Sequence, residues 1–428
     1  MSTAPDGSPV PRPSSHTSRS SPLTTDTEPS RGQPSRRTAL AALGTALTGS
    51  LAGCNALRGD DTAAFHGGNW HSYGNGPTNA NRVAGGAPEP ETNELLEPAN
   101  WTYAPPTVHD GVAYFPTDQR VVAVAADGTG QWSRELDGEA SGVPAIDPQR
   151  DRLYVPTSAE PAVDGDQTRA AVTALALADG AVLDTYRLDG ERTYGVTVVE
   201  GALYARSATE CVRFGSDGTE RWRQSLSPLV YDEYNLGDST ATQVPPAVTA
   251  DGVYVPDRDA LVKLDRETGA ERWRVAVDTP YAASVVDDGG VVQTGWQETV
   301  AATTDGEVRW RRDLHSRAAA AVDSGDVYVV EGDLHELDGE TGETNWQVHL
   351  PSEGTAAPVV TGDSVVVASG DVRAFRRETG GLLGPNRTRW EDTTGDVSEY
   401  ASPVVAAGRL FVASSRGLQT YGVGDGGS

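Results

Sequence analysis

Apolar residues in this chain alternate with polar ones in short runs, as in GVYVPD (252–257) and DVYVVEG (326–332), and no long stretch carries a helical period. Period two over four to six residues predicts half-buried β-strands. Each run leads, one strand later, to an Asp-Gly or Thr-Gly turn followed by a tryptophan. Five copies are intact: DGTGQW (127–132), DGTERW (217–222), TGAERW (268–273), DGEVRW (305–310) and TGETNW (341–346). A unit of strands and turns recurring about every 40 residues predicts many copies of one small sheet, not one large core.

Strand-opening turns fall near Gly111, Asp151, Gly201, Gly252, Gly290, Gly325, Gly362 and Gly408, which sets eight units. Each unit opens on an Ala/Pro/Val run such as VPAI (143–146) or SPVVAAG (402–408), continues through a hairpin strand and a third strand such as LVKLD (261–265), and closes on the Trp strand. Unit two has no Trp at the expected place, unit seven carries an insertion before Trp390, and unit eight ends without a Trp strand. Trp101 stands before unit one with no blade of its own. Circular closure by a strand around Trp101 reconciles the two ends and pairs strand edges otherwise left open. The expected fold is all-β: an eight-bladed β-propeller of four-stranded antiparallel blades, residues 95–423, closed by an N-terminal strand, with 424–428 as a tail.

Composition narrows the partners. The chain has 428 residues, 34 Lys+Arg against 61 Asp+Glu, and a net charge of −27. Lys263 is the one lysine, the other basic side chains being arginine. Nucleic acid is excluded as a partner, because phosphate binding needs clustered positive charge. An acidic, lysine-poor surface resembles that of proteins from salt-loving microbes, where screening relieves self-repulsion.

The N-terminus reads as an address. Residues 1–34 are rich in Ser, Pro and Thr and are expected to be disordered. Residues 35–53 hold Arg36-Arg37 and a mildly apolar stretch, ALAALGTALTGSLAG (39–53), too short to span a membrane. This is the pattern of a twin-arginine export signal. LAGC (51–54) resembles a lipobox, which makes Cys54 the lipid attachment site. Residues 54–94 are expected to be a tether and lead-in segment, with one aromatic island, NWHSYGNGPTNANR (69–82).

The repeat AxPVV…GxVYV…LxxLDxxTGxxxW resembles the PQQ-like β-propeller family. With a lipidated N-terminus, the chain looks like the lipoprotein members that serve outer-membrane barrel assembly. The family resemblance implies two possibilities, a quinoprotein dehydrogenase using PQQ and calcium, or a propeller without cofactor. The enzyme would need an axial Asp, a Trp floor and commonly adjacent cysteines; this chain has only Cys54 and Cys211. Its turn aspartates serve the turns themselves, LDGETGE (337–343) included. The motif tryptophans are expected to pack between blades with the indole N–H bonded to backbone. No catalytic residue, cofactor or metal is therefore expected. Candidate sites are the insertion 227–243, with Tyr231, Asp232, Glu233 and Tyr234 as a partner loop, and the sequons at Asn386 and Asn100. The expected function is a monomeric, non-catalytic scaffold for envelope or secreted proteins, lipid-anchored at the extracytoplasmic face of the cell membrane. The alternatives are the dehydrogenase and a receptor for a small extracellular ligand bound on the axis.

Overall fold

A computed structural model describes residues 68–88, 92–98, 104–140, 142–159, 169–229, 243–288, 290–351, 356–378, 386–393, 396–398 and 400–422. They form eight antiparallel sheets, as the repeats predict. Blades 1 to 7 take residues 107–135, 139–187, 193–225, 247–276, 285–312, 321–349 and 359–392 in turn. Blade 8 combines 404–422 with a strand from the other end of the chain. Blade 2 is the irregular one, its inner edge split into Glu139–Ala140 and Ala145–Asp147, both paired with Arg152–Ala159.

The blades grade from core to rim. Inner strands such as Ala145–Asp147 and Val359–Val360 are buried throughout. Outer strands such as Gly130–Glu135 and Thr344–His349 alternate with solvent. Blade strands alternate in direction, so the turns joining first to second and third to fourth strands share one face of the ring, here the turn face. Second-to-third turns and the links between blades share the other, the loop face.

The Gly-x-x-x-Trp motif proves to be a joint between blades. Gly180, at the blade 2 turn, lies flat on the Trp132 ring of blade 1; a Cβ there would stand 2.6 Å from the ring, and its φ of +66° already favours glycine. Gly269 sits likewise on Trp222, Gly306 on Trp273 and Gly342 on Trp310. Each indole N–H then donates across the joint: Trp132 Nε1 to Leu177 O (2.8 Å), Trp222 to Arg266 O (2.9 Å), Trp273 to Thr304 O (2.9 Å) and Trp310 to Gly339 O (3.0 Å). The expected packing role of these four tryptophans is met. Trp346 differs: its indole N–H has no partner among the described residues, and Arg387 stacks on the ring at 4.3 Å. In blade 2, which lacks the Trp, Tyr186 fills the space, with its hydroxyl facing Gly218 and its ring 4.9 Å from Phe214.

Closure is real, but its strand lies earlier than the sequence indicates. Thr92–Pro98 pairs antiparallel with Gly417–Gly422 and completes blade 8. Leu96, at the bulge of that strand, is buried and approaches Gly128 of blade 1, occupying the place a motif Trp holds elsewhere. Trp101 lies outside the described residues.

Trp310 is 6% exposed and combines ring burial with its cross-joint hydrogen bond. Trp310→Ala is expected to cost about 3–5 kcal/mol. Trp346→Ala, more exposed and without the indole bond, should cost distinctly less. Denaturant midpoints of the two variants at equal slope check the ranking.

Candidate functional site

Ligands of propellers sit on the axis or on the loop face, so both were built up from their residues. The axis is occupied by the chain itself. Residues 68–85 make one circuit of the ring, hydrogen-bonding to the inner edge of every blade but blade 3. Ala407 N of blade 8 donates to Gly68 O (2.8 Å), and Trp70 exchanges two bonds with Val108 of blade 1 (2.8 Å each). Ile146 N of blade 2 meets His71 O, Val248 N of blade 4 meets Pro77 O, and Val286 N of blade 5 meets Thr78 O. Val322 N of blade 6 meets Ala80 O, and Val360 N of blade 7 meets Asn81 O. These inner amides would otherwise face an open channel unpaired. The aromatic island placed in the tether is therefore, from Gly68 onward, a structural part of the propeller.

Side chains of the same segment fill the centre. Tyr73, in the 3-10 turn Tyr73–Asn75, packs with Ala80 against Ala104, Val143, Ala282, Ala319, Ala320 and Ala357 from five blades. Burial pushes the Tyr73 phenol far above its usual range, against the opposing pull of hydrogen bonds with Asn81 and Ser402. Asn79 Nδ2 donates to Pro245 O and Ser284 O (3.1 Å each), and Asn81 Nδ2 to Ala320 O (3.1 Å). Both asparagines adopt positive φ, which their short amides tolerate. Gln243, leading into blade 4, reaches across to the link before blade 8, bonding Tyr400 O and accepting from Ser402 Oγ (3.3 Å).

This centre does not fit a quinone with its calcium. Calcium takes six to eight oxygens, carboxylates prominent among them. Among the described residues the oxygens left unpaired toward the centre are neutral ones, the amide oxygens of Asn79 and Asn81 and the Thr107 hydroxyl on the inner strand of blade 1. Among the described residues the buried carboxylates are already engaged: Asp147, Glu210 and Asp257 with Arg150, Arg223 and Arg274, and Glu336 by the amide of Asn345 (3.3 Å). Among the described residues no group of three or more His, Cys, Asp or Glu is placed to hold a metal. Asp338 spends its carboxylate on its own turn, accepting from Thr341 N (2.8 Å) and Thr341 Oγ1 (2.9 Å), which holds it below the usual carboxylate range. LDGETGE is thus a plain turn.

The loop face carries the root of the insertion. Tyr231, Asp232, Glu233 and Tyr234 lie outside the described residues, but both stems are firmly held. Arg206, wholly buried, donates to Ser227 O (3.2 Å) and lies over the Tyr194 ring at 5.4 Å; Ser227 N donates to Asp257 Oδ1 (2.7 Å). Val244 N closes the far stem on Tyr194 O (3.0 Å). Leu229, Val244, Tyr194 and Tyr281 form a small apolar cluster, with Trp296 packed on its edge. Trp296 is half-buried, with Arg317 at 5.0 Å and His315 at 5.5 Å from its ring. Tryptophan, arginine and tyrosine together are the residue types on which interfaces depend most. Sequence reasoning missed this patch; the available signal was a Trp in TGWQE (294–298), out of register with the motif. Asn386 is exposed, and its Oδ1 accepts from Thr388 N (3.1 Å). Cys211 is free and buried, and burial pushes its thiol up to about 12. Arg36, Arg37, Cys54 and Asn100 lie outside the described residues.

A profile of the family described as outer membrane protein assembly factor BamB matches residues 209–317 and 297–423, half of the chain. The chain belongs to this family. The outer membrane protein assembly factor BamB of Alkalilimnicola ehrlichii is 31% identical over 162 residues, 33% of this chain and 42% of that one. The serine/threonine-protein kinase AfsK of Streptomyces griseus is 27% identical over 173 residues, 36% of this chain and 21% of the kinase. The chain therefore spans less than half the length of these curated relatives. Among solved structures, BamB from Moraxella catarrhalis matches with a TM-score of 0.59 at 16% identity, over 77% of this chain and 97% of that one. Quinohemoprotein alcohol dehydrogenase from Comamonas testosteroni matches with a TM-score of 0.62 at 14% identity, over 86% and 81%. At such identities the likeness of both structures to this BamB-family chain shows the propeller fold alone.

One contact makes the axial segment pH-sensitive. His71 Nε2 lies 2.9 Å from Nδ1 of His109, on the inner strand of blade 1. Burial, with the neighbouring His109 adding to it, lowers the His71 pKa from 6.5 to about 4, against the opposing pull of Asp110. A lowered base binds its proton more readily in the unfolded chain. Its contribution is therefore complete above pH 6.5 and lost as pH falls toward 4, up to about 3 kcal/mol. Burial lowers His335 in the same direction. Equilibrium unfolding across this window should show falling stability, and His71→Gln should flatten part of the decline.

Proposed function

We propose that this BamB-family propeller is exported, anchored by lipid on Cys54, and serves as a non-catalytic interaction scaffold for envelope or secreted proteins at the extracytoplasmic face of the membrane. The observation that carries this reading is the axis. The volume in which an axial ligand would lie is taken by Tyr73 and Ala80, walled by Val143 and by alanines from four other blades. A small-molecule receptor or a quinoprotein would need that volume open. Family membership supports a role in outer-membrane or envelope assembly, the function named for its relatives. Binding then falls to the loop face, where an insertion with firmly held stems adjoins Trp296 and Arg317. The dehydrogenase reading keeps one support, the shared fold with quinohemoprotein alcohol dehydrogenases. The exposed Asn386 remains the better glycosylation candidate of the two sequons.

Two experiments test the scaffold. In crosslinking and affinity capture from membranes, replacing Tyr231 and Tyr234 together with Ala should cut recovery of co-purifying envelope proteins at least tenfold. Unchanged recovery removes the loop from the interface, and turnover of alcohols with added quinone and calcium overturns the non-catalytic reading. For the anchor, Cys54→Ser should move the protein from the membrane fraction to the medium; continued membrane retention rejects lipidation at that residue.

A further inference from the structure

The scaffold reading leaves open which face of the ring meets the membrane and which meets partners. We propose that the propeller stands with its turn face toward the lipid and presents its loop face to the aqueous compartment. The proposal rests on the lipid anchor at Cys54 and adds to it a direction.

The direction comes from where the chain enters the ring. Gly68 is pinned at the turn-face end of blade 8: Ala407 N donates to its carbonyl, and a Cβ on Gly68 would stand 2.6 Å from Ala407 N. Ala407 itself belongs to the turn joining Val404–Ala406 to Arg409–Ser414. Two residues on, Trp70 is 1% exposed and exchanges both backbone bonds with Val108, so this entrance is fixed, not frayed. The point to which the tether joins, Gly68, thus lies on the inner part of the turn face.

Its length decides the rest. Fourteen residue steps separate Cys54 from Gly68. A relaxed chain of that length spans roughly 20 Å, and a fully stretched one about 50 Å. To lay the loop face on the membrane, the tether would have to cross a blade from inner to outer strand and climb its height. Four strands at ~4.8 Å spacing and six residues at ~3.3 Å rise make that detour roughly 35 Å before any lipid is reached. The turned-over state therefore demands a nearly taut tether, whereas the upright state leaves it relaxed.

Charge sets the stand-off. The exposed turn-face residues Asp127, Asp217, Glu267, Glu307 and Glu340 oppose an anionic surface, and high salt screens that repulsion within a few ångströms. The loop face, with the stems of the insertion and the Trp296–Arg317 pair, is left free for proteins arriving from the aqueous side.

Blade 5 supplies a pair of reporters. Glu307 and Gln297 are exposed at its turn-face and loop-face ends. Cys211 is buried and Cys54 is consumed by the lipid, so Glu307→Cys and Gln297→Cys each offer one accessible thiol. The lipidated full-length variants, carrying a fluorescent donor, are placed on phosphatidylcholine–phosphatidylglycerol vesicles with an acceptor lipid. Transfer from position 307 is expected to exceed that from 297 at least twofold, and to rise with salt. Equal transfer from both positions, or stronger transfer from 297, overturns the orientation while leaving the anchor intact. Failure of the lipidated protein to associate with vesicles overturns the anchor reading and the orientation with it.

Discussion

The ring depends on one repeated contact, a tryptophan lying flat on the glycine of the next blade's turn. A propeller blade is too small to hold itself together, so stability comes from matching neighbouring sheets. At four joints the contact combines a large apolar area, an indole N–H delivered to a carbonyl, and a glycine whose missing side chain lets the ring approach. Where the motif fails, other chemistry replaces it. Tyr186 stands in at blade 2, Leu96 at the closure, and Arg387 covers Trp346. Arginines also cross the joints, as Arg266 does to the Tyr204 hydroxyl (3.2 Å) and Glu200 (2.7 Å), and Arg377 to the Tyr328 hydroxyl (3.0 Å).

A circular array of sheets leaves two problems that the joints do not solve: open edges where the chain begins and ends, and unpaired backbone groups lining the hole. One N-terminal stretch solves both. Residues 68–85 pair with inner amides of every blade but blade 3, and Thr92–Pro98 supplies the outer strand of blade 8. The same stretch also fills the centre of the ring, where Tyr73 and Ala80 pack against residues leading into five blades. On the loop face over blades 3 to 5, buried groups such as Arg206 and Tyr194 brace an insertion that breaks the repeat.

Much of the architecture could be read directly from residues. The eight units, their four strands, the turn role of Asp338, and the packing role of the tryptophans all follow from short-range grammar, because strand period, turn chemistry and a fixed Gly-to-Trp offset are local. The site was much less legible. The stretch 69–82 reads as polar, Gly- and Asn-rich linker, and its aromatic residues have no periodicity to betray their burial. Its partners, from Val108 to Ala407, are spread over some three hundred residues, and no local pattern reports a contact at that separation. The motif points to Trp101 as the marker of the closing strand, whereas Leu96 of Thr92–Pro98 holds the place.

The sequence alone determined what a blade is and how many there are, since both are written in local alternation and turn residues. Its net charge of −27 also sets the terms on which the protein meets an anionic polymer. Only the tertiary structure decided what fills the centre of the ring and which strand closes it. Those are matters of long-range pairing: the inner amides of seven blades needed partners, and the backbone of residues 68–85 supplied them.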